Sequence, residues 1–357
     1  LLNQRWAFSR PDGASPPYCS WKYEQPLMLV KPLRYLDAHA LRCALPMDVA
    51  IDAIEAVMHA AGNGDAEAPV RTMQSVMRPG KEDFVFVVMP SVWRGRQAAA
   101  AKIVSNVPDN PLENRATVQG VAVMFDVETG SPSLIVDAAT LTTIRTGAVV
   151  GLATRFLARS SCNVLGIIGT GGIAADLVKG VAAVRGIDRV LVNDIRPIVA
   201  ATFAEQIPFD AQVVNDNDEL ASRSDILITA TSATDPAISA GTVQPGTHIN
   251  AVGNFSPTGR EIPGAVVAAA TRYVDDINNA MEEAGEFILA ASEGLIPPGA
   301  GGITGDLQGL VLGKAAPRTN EEEITLFKTV GTALSDVAGL SAAAVAAEAE
   351  DLGVVLT

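Results

Sequence analysis

Two glycines followed by a small residue have the spacing of a phosphate-binding turn. Gly169, Gly171 and Ala174 form the pattern Gly-x-Gly-x-x-Ala directly after the apolar run at 164–168. In such a turn the first glycine permits a sharp reversal, the second lets the backbone approach a pyrophosphate, and the small third residue lets the helix pack closely on the strand. The phosphates then face unpaired amides at the helix N-terminus. The pattern predicts a dinucleotide-binding site.

An acidic residue lies where dinucleotide-binding folds contact the ribose. The β-type run at 189–193 ends in Asp194, roughly 20–25 residues after the first glycine. A carboxylate there accepts the ribose hydroxyls of NAD and repels the 2′-phosphate of NADP, whereas Arg196 would partly accommodate that phosphate. The sequence therefore predicts NAD and leaves NADP open.

Three cations lie among small or apolar residues, where an unpaired charge is costly. Arg71 follows the segment 68–70, Lys102 lies within 98–104, and Arg145 lies within 140–148. Burying an ammonium group without an anion costs several kcal/mol or shifts its pKa. Taken singly, each cation is explained by an internal ion pair or a solvated side chain, and Lys102 also by an edge strand from which its end reaches water.

The segments around these residues predict an α/β protein. Apolar runs without alternation are typical of strands buried on both faces, and strands that alternate with helices favour a parallel sheet. The first third predicts a mainly antiparallel sheet with one helix and a hairpin turn at 128–131. The predicted strands are 84–89, 99–106, 118–126, 132–137, 164–168, 189–194, 225–230, 248–252 and 272–276, and the predicted helices are 46–62, 139–159, 173–184, 263–270 and 321–350.

Composition excludes several classes of partner. The chain has 357 residues and a formal net charge of −14, which argues against nucleic acid and anionic membranes as partners. No apolar run reaches the roughly 18–20 residues that span a bilayer, and the start of the chain lacks a secretory core. Residues up to about Glu24 are expected to form an irregular arm without chemistry. Cysteines without a Cys-x-x-Cys pair (Cys19, Cys43, Cys162) predict a cytoplasmic protein, and scattered histidines (His39, His59, His248) predict no metal site.

The order of several motifs resembles the ornithine cyclodeaminase/μ-crystallin family. The resemblance extends from about Pro46 to the C-terminal segment. The motifs are Ala101-Lys102-Ile103-Val104, Pro-Asp-Asn-Pro at 108–111, Gln119-Gly120, Phe-Asp-Val-Glu-Thr-Gly at 125–130, Ile-Arg-Thr-Gly-Ala at 144–148, Gly-Thr-Gly-Gly at 169–172, Ile-Asn-Ala-Val-Gly at 249–253, and Glu-Ile-Thr-Leu-Phe-Lys-Thr-Val-Gly at 323–331.

This resemblance implies a domain organisation and an assembly. A Rossmann NAD(P)-binding domain is expected at 139–321, and an α+β substrate-binding and dimerisation domain is expected from 1–138 together with 322–357. The family forms homodimers, so a homodimer is expected here.

The resemblance also implies a set of site residues. Arg71, Lys102 and Arg145 would hold a substrate carboxylate, with Lys102 close to the reacting nitrogen, and Thr117 would contact the substrate. Converging cations in an acidic protein make a local anion trap, and arginine grips a carboxylate with two parallel hydrogen bonds. Besides Gly169, Gly171 and Arg196, the expected cofactor contacts are Gly172, Ile173, Asp194, Thr231, Val252 and Thr329.

One position separates the chemistries within this family. In the cyclodeaminases, the segment after Ile-Asn-Ala-Val-Gly carries an aspartate that handles protons, but Phe255 stands at that position and cannot take a proton. The neighbouring Asn254 would only orient water or an amine. The pattern Ser-Pro-x-x-Arg-Glu at 256–261 is similar to that of the imine-reducing and amino-acid-dehydrogenating members.

The leading hypothesis is a NAD(P)-dependent oxidoreductase of amino acid metabolism. It would act on the Cα–N bond of a small amino or imino acid, as a ketimine reductase or amino acid dehydrogenase, with Lys102 as the catalytic residue that polarises the imine or supplies a proton. One alternative is an ornithine cyclodeaminase, a lyase that uses NAD and returns it unchanged. Another is a dinucleotide-binding protein without turnover.

Other polar residues are interpreted as structural. His248 has no carboxylate or cysteine at a useful spacing, so a structural role is expected. The paired acids Asp275-Asp276 and Glu282-Glu283 are expected on solvated faces. The acidic run Glu321-Glu322-Glu323 is expected at the N-terminus of a helix, where negative charge meets the helix dipole.

Overall fold

The computed structural model describes residues 32–113 and 115–356, the side chain of Pro111 excepted. The predicted N-terminal arm and Cys19 lie outside the described residues. No helix in the described ranges is both long enough and apolar enough to cross a bilayer.

The described chain forms two sheets flanked by helices. The strands are β1 (Leu33–Leu36), β2 (Ala66–Glu67), β3 (Thr72–Val76), β4 (Phe84–Trp93), β5 (Ala98–Asn106), β6 (Val118–Asp126), β7 (Pro132–Asp137), β8 (Val164–Ile168), β9 (Arg189–Asn193), β10 (Asp210–Val213), β11 (Ile226–Thr229), β12 (His248–Ala251), β13 (Thr271–Val274), β14 (Gly305–Asp306), β15 (Thr325–Lys328) and β16 (Val354–Leu356). The helices are α1 (Ala38–Ala44), α2 (Met47–Gly62), α3 (Ala138–Leu157), α4 (Ala174–Ala182), α5 (Pro197–Gln206), α6 (Asn217–Ser222), α7 (Gly264–Ala269), α8 (Ile277–Glu283), α9 (Gly285–Ser292), α10 (Leu307–Val311) and α11 (Ala333–Ala349), with 3₁₀ turns at Arg94–Arg96, Asn110–Glu113 and Gly299–Gly302.

The first sheet has the order β16-β1-β7-β6-β5-β4-β2, with β3 also paired to β4. Strands β4 to β7 are antiparallel neighbours, which confirms the predicted hairpin between β6 and β7. Alternate residues of β5 are buried, because one face of the sheet packs on α2, α3 and α11. Lys102 belongs to this buried set and lies opposite Met89 and Ala122.

The second sheet is parallel and has the order β10-β9-β8-β11-β12-β15-β13-β14. Its apolar strands are covered on both faces, with α3, α4 and α5 on one side and α6, α7 and α9 on the other. The chain leaves β8 toward β9 and β10 and then crosses back to β11. This reversal between β8 and β11 creates the crevice at the carboxyl ends of the strands where α/β proteins bind ligands.

The C-terminal segment differs from the prediction. A helix over 321–350 is wrong, because β15 lies between β12 and β13 and α11 begins only at Ala333. Leu326 and Phe327 are fully buried in the second sheet. The acidic run precedes this strand rather than a helix, and the Glu323 carboxylate accepts hydrogen bonds from Thr271 and Thr319. A domain boundary between residues 321 and 322, as predicted, would separate β15 from the second sheet to which it belongs. The chain returns to the first sheet only with α11.

Helices α3 and α4 pack so closely that their backbones are in contact, and glycines make this possible. A Cβ atom on Gly180 of α4 would lie 1.9 Å from the carbonyl oxygen of Gly147 on α3. Since Gly147 follows Arg145 by two residues, the crossing fixes where the Arg145 side chain begins.

Gly180→Ala is expected to destabilise the protein, although alanine is normally the better helix residue by about 1 kcal/mol. The added methyl group would force the two helices apart, at a cost of about 2 kcal/mol in the free energy of unfolding. Urea unfolding measures this cost. Gly186→Ala is the matched control, because a Cβ there meets nothing within 4 Å. Equal stability of Gly180→Ala and the wild type would contradict the crossing.

Candidate functional site

The second sheet brings the predicted cofactor residues to one edge. Gly169 follows β8, Asp194 follows β9, Thr231 comes shortly after β11, Val252 follows β12, and Thr329 follows β15. Because the strands are parallel, all five residues lie at the carboxyl edge, and β8 and β11 flank the point where the strand order reverses.

The glycine turn has the local geometry that a pyrophosphate needs. Gly169 has a φ of +91°, and a Cβ on it would lie 2.6 Å from the Ala230 carbonyl oxygen. A Cβ on Gly171 or Gly172 would meet no atom within 4 Å, so the backbone there is open to a ligand. Ala174 is fully buried at the first turn of α4. These residues fit a dinucleotide.

Asp194 is held ionised beside this turn. Its carboxylate accepts hydrogen bonds from the Thr170 amide (2.9 Å) and hydroxyl (3.1 Å) and from the Arg196 amide (2.9 Å). Burial alone would raise the pKa of Asp194, but these hydrogen bonds outweigh it and hold the pKa below its usual value. Arg196 Nε lies 3.3 Å from the same carboxylate.

Asp194→Asn is expected to shift the cofactor preference toward NADPH. Loss of the charge removes the repulsion of a 2′-phosphate and frees Arg196 to pair with one, so the ratio of kcat/KM for NADH to that for NADPH should fall by at least about tenfold. Steady-state kinetics with both cofactors measures the ratio. Asp210→Asn, which alters a surface pair with Arg189, is the matched control. An unchanged ratio in Asp194→Asn would remove Asp194 from cofactor selection.

A buried carboxylate that was not predicted joins two of the cations. Asp336, in the first turn of α11, is fully buried, and its Oδ1 lies 3.0 Å from Lys102 Nζ and 3.2 Å from Arg145 Nε. Burial is the main reason that the pKa of Lys102 falls to about 8; Arg145 lowers it further, and Asp336 opposes both effects. At neutral pH Lys102 is therefore a cation that gives up its proton readily.

The outer end of Arg145 is available to a ligand. Its Nη1 and Nη2 atoms have no hydrogen-bond acceptor within 32–113 or 115–356. They would lie 3.1 and 3.2 Å from a Cβ on Gly331, whose φ is +92°. Glycine at this position leaves the guanidinium fork uncovered, and a fork with two free nitrogens matches the two oxygens of a carboxylate.

Arg71 reaches the same region from the segment before β3. Its guanidinium donates to the Glu283 carboxylate and to the Val330 carbonyl oxygen, so it lies beside the carboxyl end of β15. It is also close enough for its charge to lower the pKa of Lys102. The structure therefore brings Arg71, Lys102 and Arg145 together next to the cofactor edge.

The acids at this edge correct one prediction. Asp275 and Glu283 are not on solvated faces; each side chain is buried, since the site cations and loop amides supply partners. Asp275 accepts hydrogen bonds from the Thr329 hydroxyl and the Gly331 amide, both at 2.6 Å. Glu283 pairs with Arg71. In the sequence, nothing distinguishes Asp275 from Asp276 or Glu283 from Glu282, so the burial of one acid in each pair could not be predicted.

Glu261 organises the loops after β11 and β12. Its carboxylate accepts hydrogen bonds from the Thr231 amide (2.7 Å) and hydroxyl (2.8 Å) and from the Gly253 amide (2.7 Å). Burial raises the pKa of Glu261, while Lys328 opposes the rise. Glu261 is the last residue of the Ser-Pro-x-x-Arg-Glu pattern, but the sequence does not show that its carboxylate binds Thr231 and Gly253.

The loop after Gly253 presents an apolar side chain to the site. The Phe255 ring lies 6.0 Å from Arg71 Cζ and is 44% exposed. Asn254 is committed to its own loop, because its amide donates to the Ala233 carbonyl (2.6 Å) and its oxygen accepts from the Ser256 amide (2.7 Å). Phe255, not a proton-handling group, is therefore what this loop offers to a substrate.

Two other residues lie away from this cluster. Thr117 precedes β6, and Lys102 pairs with Ala122, so Thr117 is on the order of 16 Å along the strand from Lys102 at about 3.3 Å per residue. Its substrate contact remains a prediction. His248 lies at the amino end of β12, with Nδ1 2.9 Å from Thr325 Oγ1, and burial lowers its pKa to about 3. This environment suits the structural role expected for it.

Several known proteins are similar to this chain in sequence and in fold. A model described as the ornithine cyclodeaminase/mu-crystallin family matches residues 35–350. A Δ(1)-pyrroline-2-carboxylate reductase from Bacillus cereus is 35% identical over 277 residues, which are 76% of this chain and 84% of the relative. The structure of Thermococcus litoralis Δ(1)-pyrroline-2-carboxylate reductase with NADH and L-proline has a TM-score of 0.86 at 33% identity, covering 90% of this chain and 100% of that one. An archaeal alanine dehydrogenase dimer with bound NAD has a TM-score of 0.83 at 29% identity, covering 91% and 99%.

Proposed function

The chain belongs to the ornithine cyclodeaminase/mu-crystallin family, and from that premise we propose that it reduces the Cα=N bond of a small imino acid with NADH or NADPH. The family and the Rossmann-type fold predicted from the sequence are confirmed. The main observation behind this proposal is that the terminal nitrogens of Arg145 are free beside the buried Lys102. Both residues lie next to the carboxyl edge of the second sheet, where the glycine turn lies.

Each cation has its own task in this reaction. The Arg145 fork, supported by Arg71, binds the substrate carboxylate and so fixes the adjacent Cα=N bond. Lys102 donates its proton to the imine nitrogen, and its pKa of about 8 suits transfer near neutral pH. The nicotinamide, when bound, supplies hydride to the Cα carbon. One hydride and one proton add across the double bond and give an amino acid.

Phe255 favours an uncharged substrate ring over a diamino acid. Its ring gives the site an apolar wall beside Arg71 and no carboxylate to meet a side-chain ammonium group. Relatives of this chain include a Δ(1)-pyrroline-2-carboxylate reductase, and a solved structure of such an enzyme holds L-proline. We therefore place Δ1-pyrroline-2-carboxylate first among substrates.

A substrate panel tests this proposal. Purified protein is incubated with NADH or NADPH and Δ1-pyrroline-2-carboxylate, Δ1-piperideine-2-carboxylate, or pyruvate plus ammonia. Oxidation of the cofactor with a cyclic imine, matched by formation of the amino acid, is the expected result. In a parallel incubation of ornithine with oxidised NAD, formation of ammonia and proline without net change in the cofactor would instead identify a cyclodeaminase. Cofactor binding without any turnover would identify a binding protein.

We also propose that the protein is a homodimer that uses the outer face of the first sheet. Val76, Phe86 and Val121 are between 39% and 51% exposed on this face, whereas the opposite face is covered by helices. A second copy would cover this apolar surface. Light scattering should give about twice the chain mass of 37.0 kDa; a mass equal to one chain would exclude the dimer.

Two further predictions stay proposals. The first sheet with α11 is proposed as the substrate-binding domain and the second sheet as the NAD(P)-binding domain. A cytoplasmic location is proposed from the cysteine pattern; Cys43 and Cys162 are free thiols.

A further inference from the structure

Asp336 differs from the other buried acids of the site in what it binds. Asp194, Asp275 and Glu261 each accept backbone amide hydrogen bonds and so organise loops. Within the described chain, Asp336 has only Lys102 and Arg145 as partners, and its Oδ2 is buried without a hydrogen bond. The helix cap is supplied by Thr332 instead. Asp336 therefore makes no hydrogen bond to the backbone of α11.

The charges around Lys102 come from three elements. Arg145 faces it from α3, Asp336 from α11, and Arg71 from the segment before β3. Arg71 already has its own counter-ion, Glu283 of α8. Lys102 and Arg145 share one carboxylate, so this pair has one positive charge in excess. A substrate carboxylate would balance that excess.

An ion pair at Nε lets Asp336 attract Arg145 from its inner side. Asp336 Oδ1 lies 3.2 Å from Arg145 Nε, which forms no hydrogen bond within the described residues, and the two terminal nitrogens lie on the side of Gly331. The same oxygen, at 3.0 Å, keeps the ammonium of Lys102 charged in a buried place where a lone ammonium would lose its proton.

We propose that Asp336 is a positioning residue for the reduction, which turns the Arg145 fork toward the substrate carboxylate and keeps Lys102 protonated as the donor. This inference rests on the proposed function and adds a residue to it. Asp336 does not touch the reacting atoms; it acts through its two partners.

Asp336→Asn keeps the size of the side chain and removes its charge. Lys102 then loses the one counter-ion that it has among the described residues and keeps the repulsion of Arg145, so its pKa falls. Since the donor must be protonated, the alkaline limb of the pH profile of reduction should move to lower pH by at least about one unit, and kcat at pH 8 should fall at least about fivefold. KM for the imino acid should rise as well, because a neutral side chain holds the Arg145 fork less firmly in place. A merely structural role would leave the alkaline limb in place.

A readout without turnover separates this inference from the proposed function. In protein labelled with ¹³C at the lysine ε-carbons, the Lys102 resonance is assigned with Lys102→Arg, and its titration is followed by NMR. We expect a lower midpoint in Asp336→Asn than in the wild type and a return toward the wild-type midpoint in Asp336→Glu. If the wild type reduces no imine but the midpoint moves, the proposed function fails and the coupling stands. An unmoved midpoint in folded Asp336→Asn overturns the inference.

Asp176→Asn is the matched control. Asp176 is also a buried acid in the first turn of a helix and pairs with Arg42 at 3.0 Å, outside the site. Its replacement should leave the Lys102 titration and the alkaline limb unchanged.

Discussion

Lys102→Ala is expected to lower kcat for imine reduction at pH 7 by about a thousandfold, within the range that general acid catalysis supplies. Lys102 Nζ is a buried donor that shares the Asp336 carboxylate with Arg145, and Asp336 keeps it charged. Alanine leaves no group that donates a proton to the imine nitrogen. NADH binding, measured by fluorescence, should stay within about threefold, because Lys102 lies outside the glycine turn.

Two control variants test whether the loss of kcat is due to the missing proton donor. Lys102→Arg keeps the positive charge and the pair with Asp336, but a guanidinium is a very weak acid, so kcat should stay low. Lys314→Ala removes an exposed lysine and should behave like the wild type. A kcat for Lys102→Ala within about threefold of the wild type would remove Lys102 from catalysis.

Arg145→Ala is expected to lower kcat/KM for the imino acid by at least about a hundredfold. Two charge-assisted hydrogen bonds to the carboxylate are lost, each worth about 1.5–3 kcal/mol. Arg145→Lys should recover only part of the loss, since an ammonium cannot form the fork. Steady-state kinetics with varied imino acid measures both.

A control on the same helix separates carboxylate binding from helix stability. Arg155 lies on α3 and forms a partly exposed pair with Glu55 at 2.8 Å. Arg155→Ala should leave kcat/KM within about twofold, because exposed ion pairs contribute little. If Arg145→Ala and Arg155→Ala gave the same small effect, the carboxylate would have to bind elsewhere.

One short segment joins the cofactor edge to the substrate cations. Thr329 follows β15, Val330 offers its carbonyl to Arg71, Gly331 leaves room beside the Arg145 fork, and Asp336 lies one helical turn into α11. The chain therefore passes from the cofactor sheet to the acid that holds Lys102 within a few residues. This continuity explains how two separate sheets contribute to one site.

The glycine turn and the acid that follows β9 were predictable because their signals are local. Gly169, Gly171 and Ala174 lie within one turn, and Asp194 follows at a set distance, so short-range sterics and hydrogen bonding define their roles. The order of the strands has no such local signal. That β15 inserts between β12 and β13 depends on contacts with residues far away in the chain.

The cation cluster beside the first sheet was predictable only in part. The small and apolar residues around Lys102 predict that it is on a strand, but its partner Asp336 is 234 positions away. In the sequence, Asp336 is one acid in an alanine-rich helical segment. Glu283 likewise has a neighbour, Glu282, of the same type, and only the position of Arg71 decides which of them is buried. Long-range pairing of charges is what residue spacing leaves undetermined.

Transfer of deuterium tests most directly whether a nicotinamide and the cation cluster act on one Cα–N bond. The protein is incubated with NADH that carries deuterium at both hydrogen positions of the nicotinamide C4 and with Δ1-pyrroline-2-carboxylate, and the proline formed is analysed by mass spectrometry and NMR. We predict one deuterium on Cα for each NADH oxidised, with the transfer lost in Lys102→Ala and Arg145→Ala. Proline without deuterium at Cα, or no oxidation of NADH with any cyclic imino acid, would contradict it.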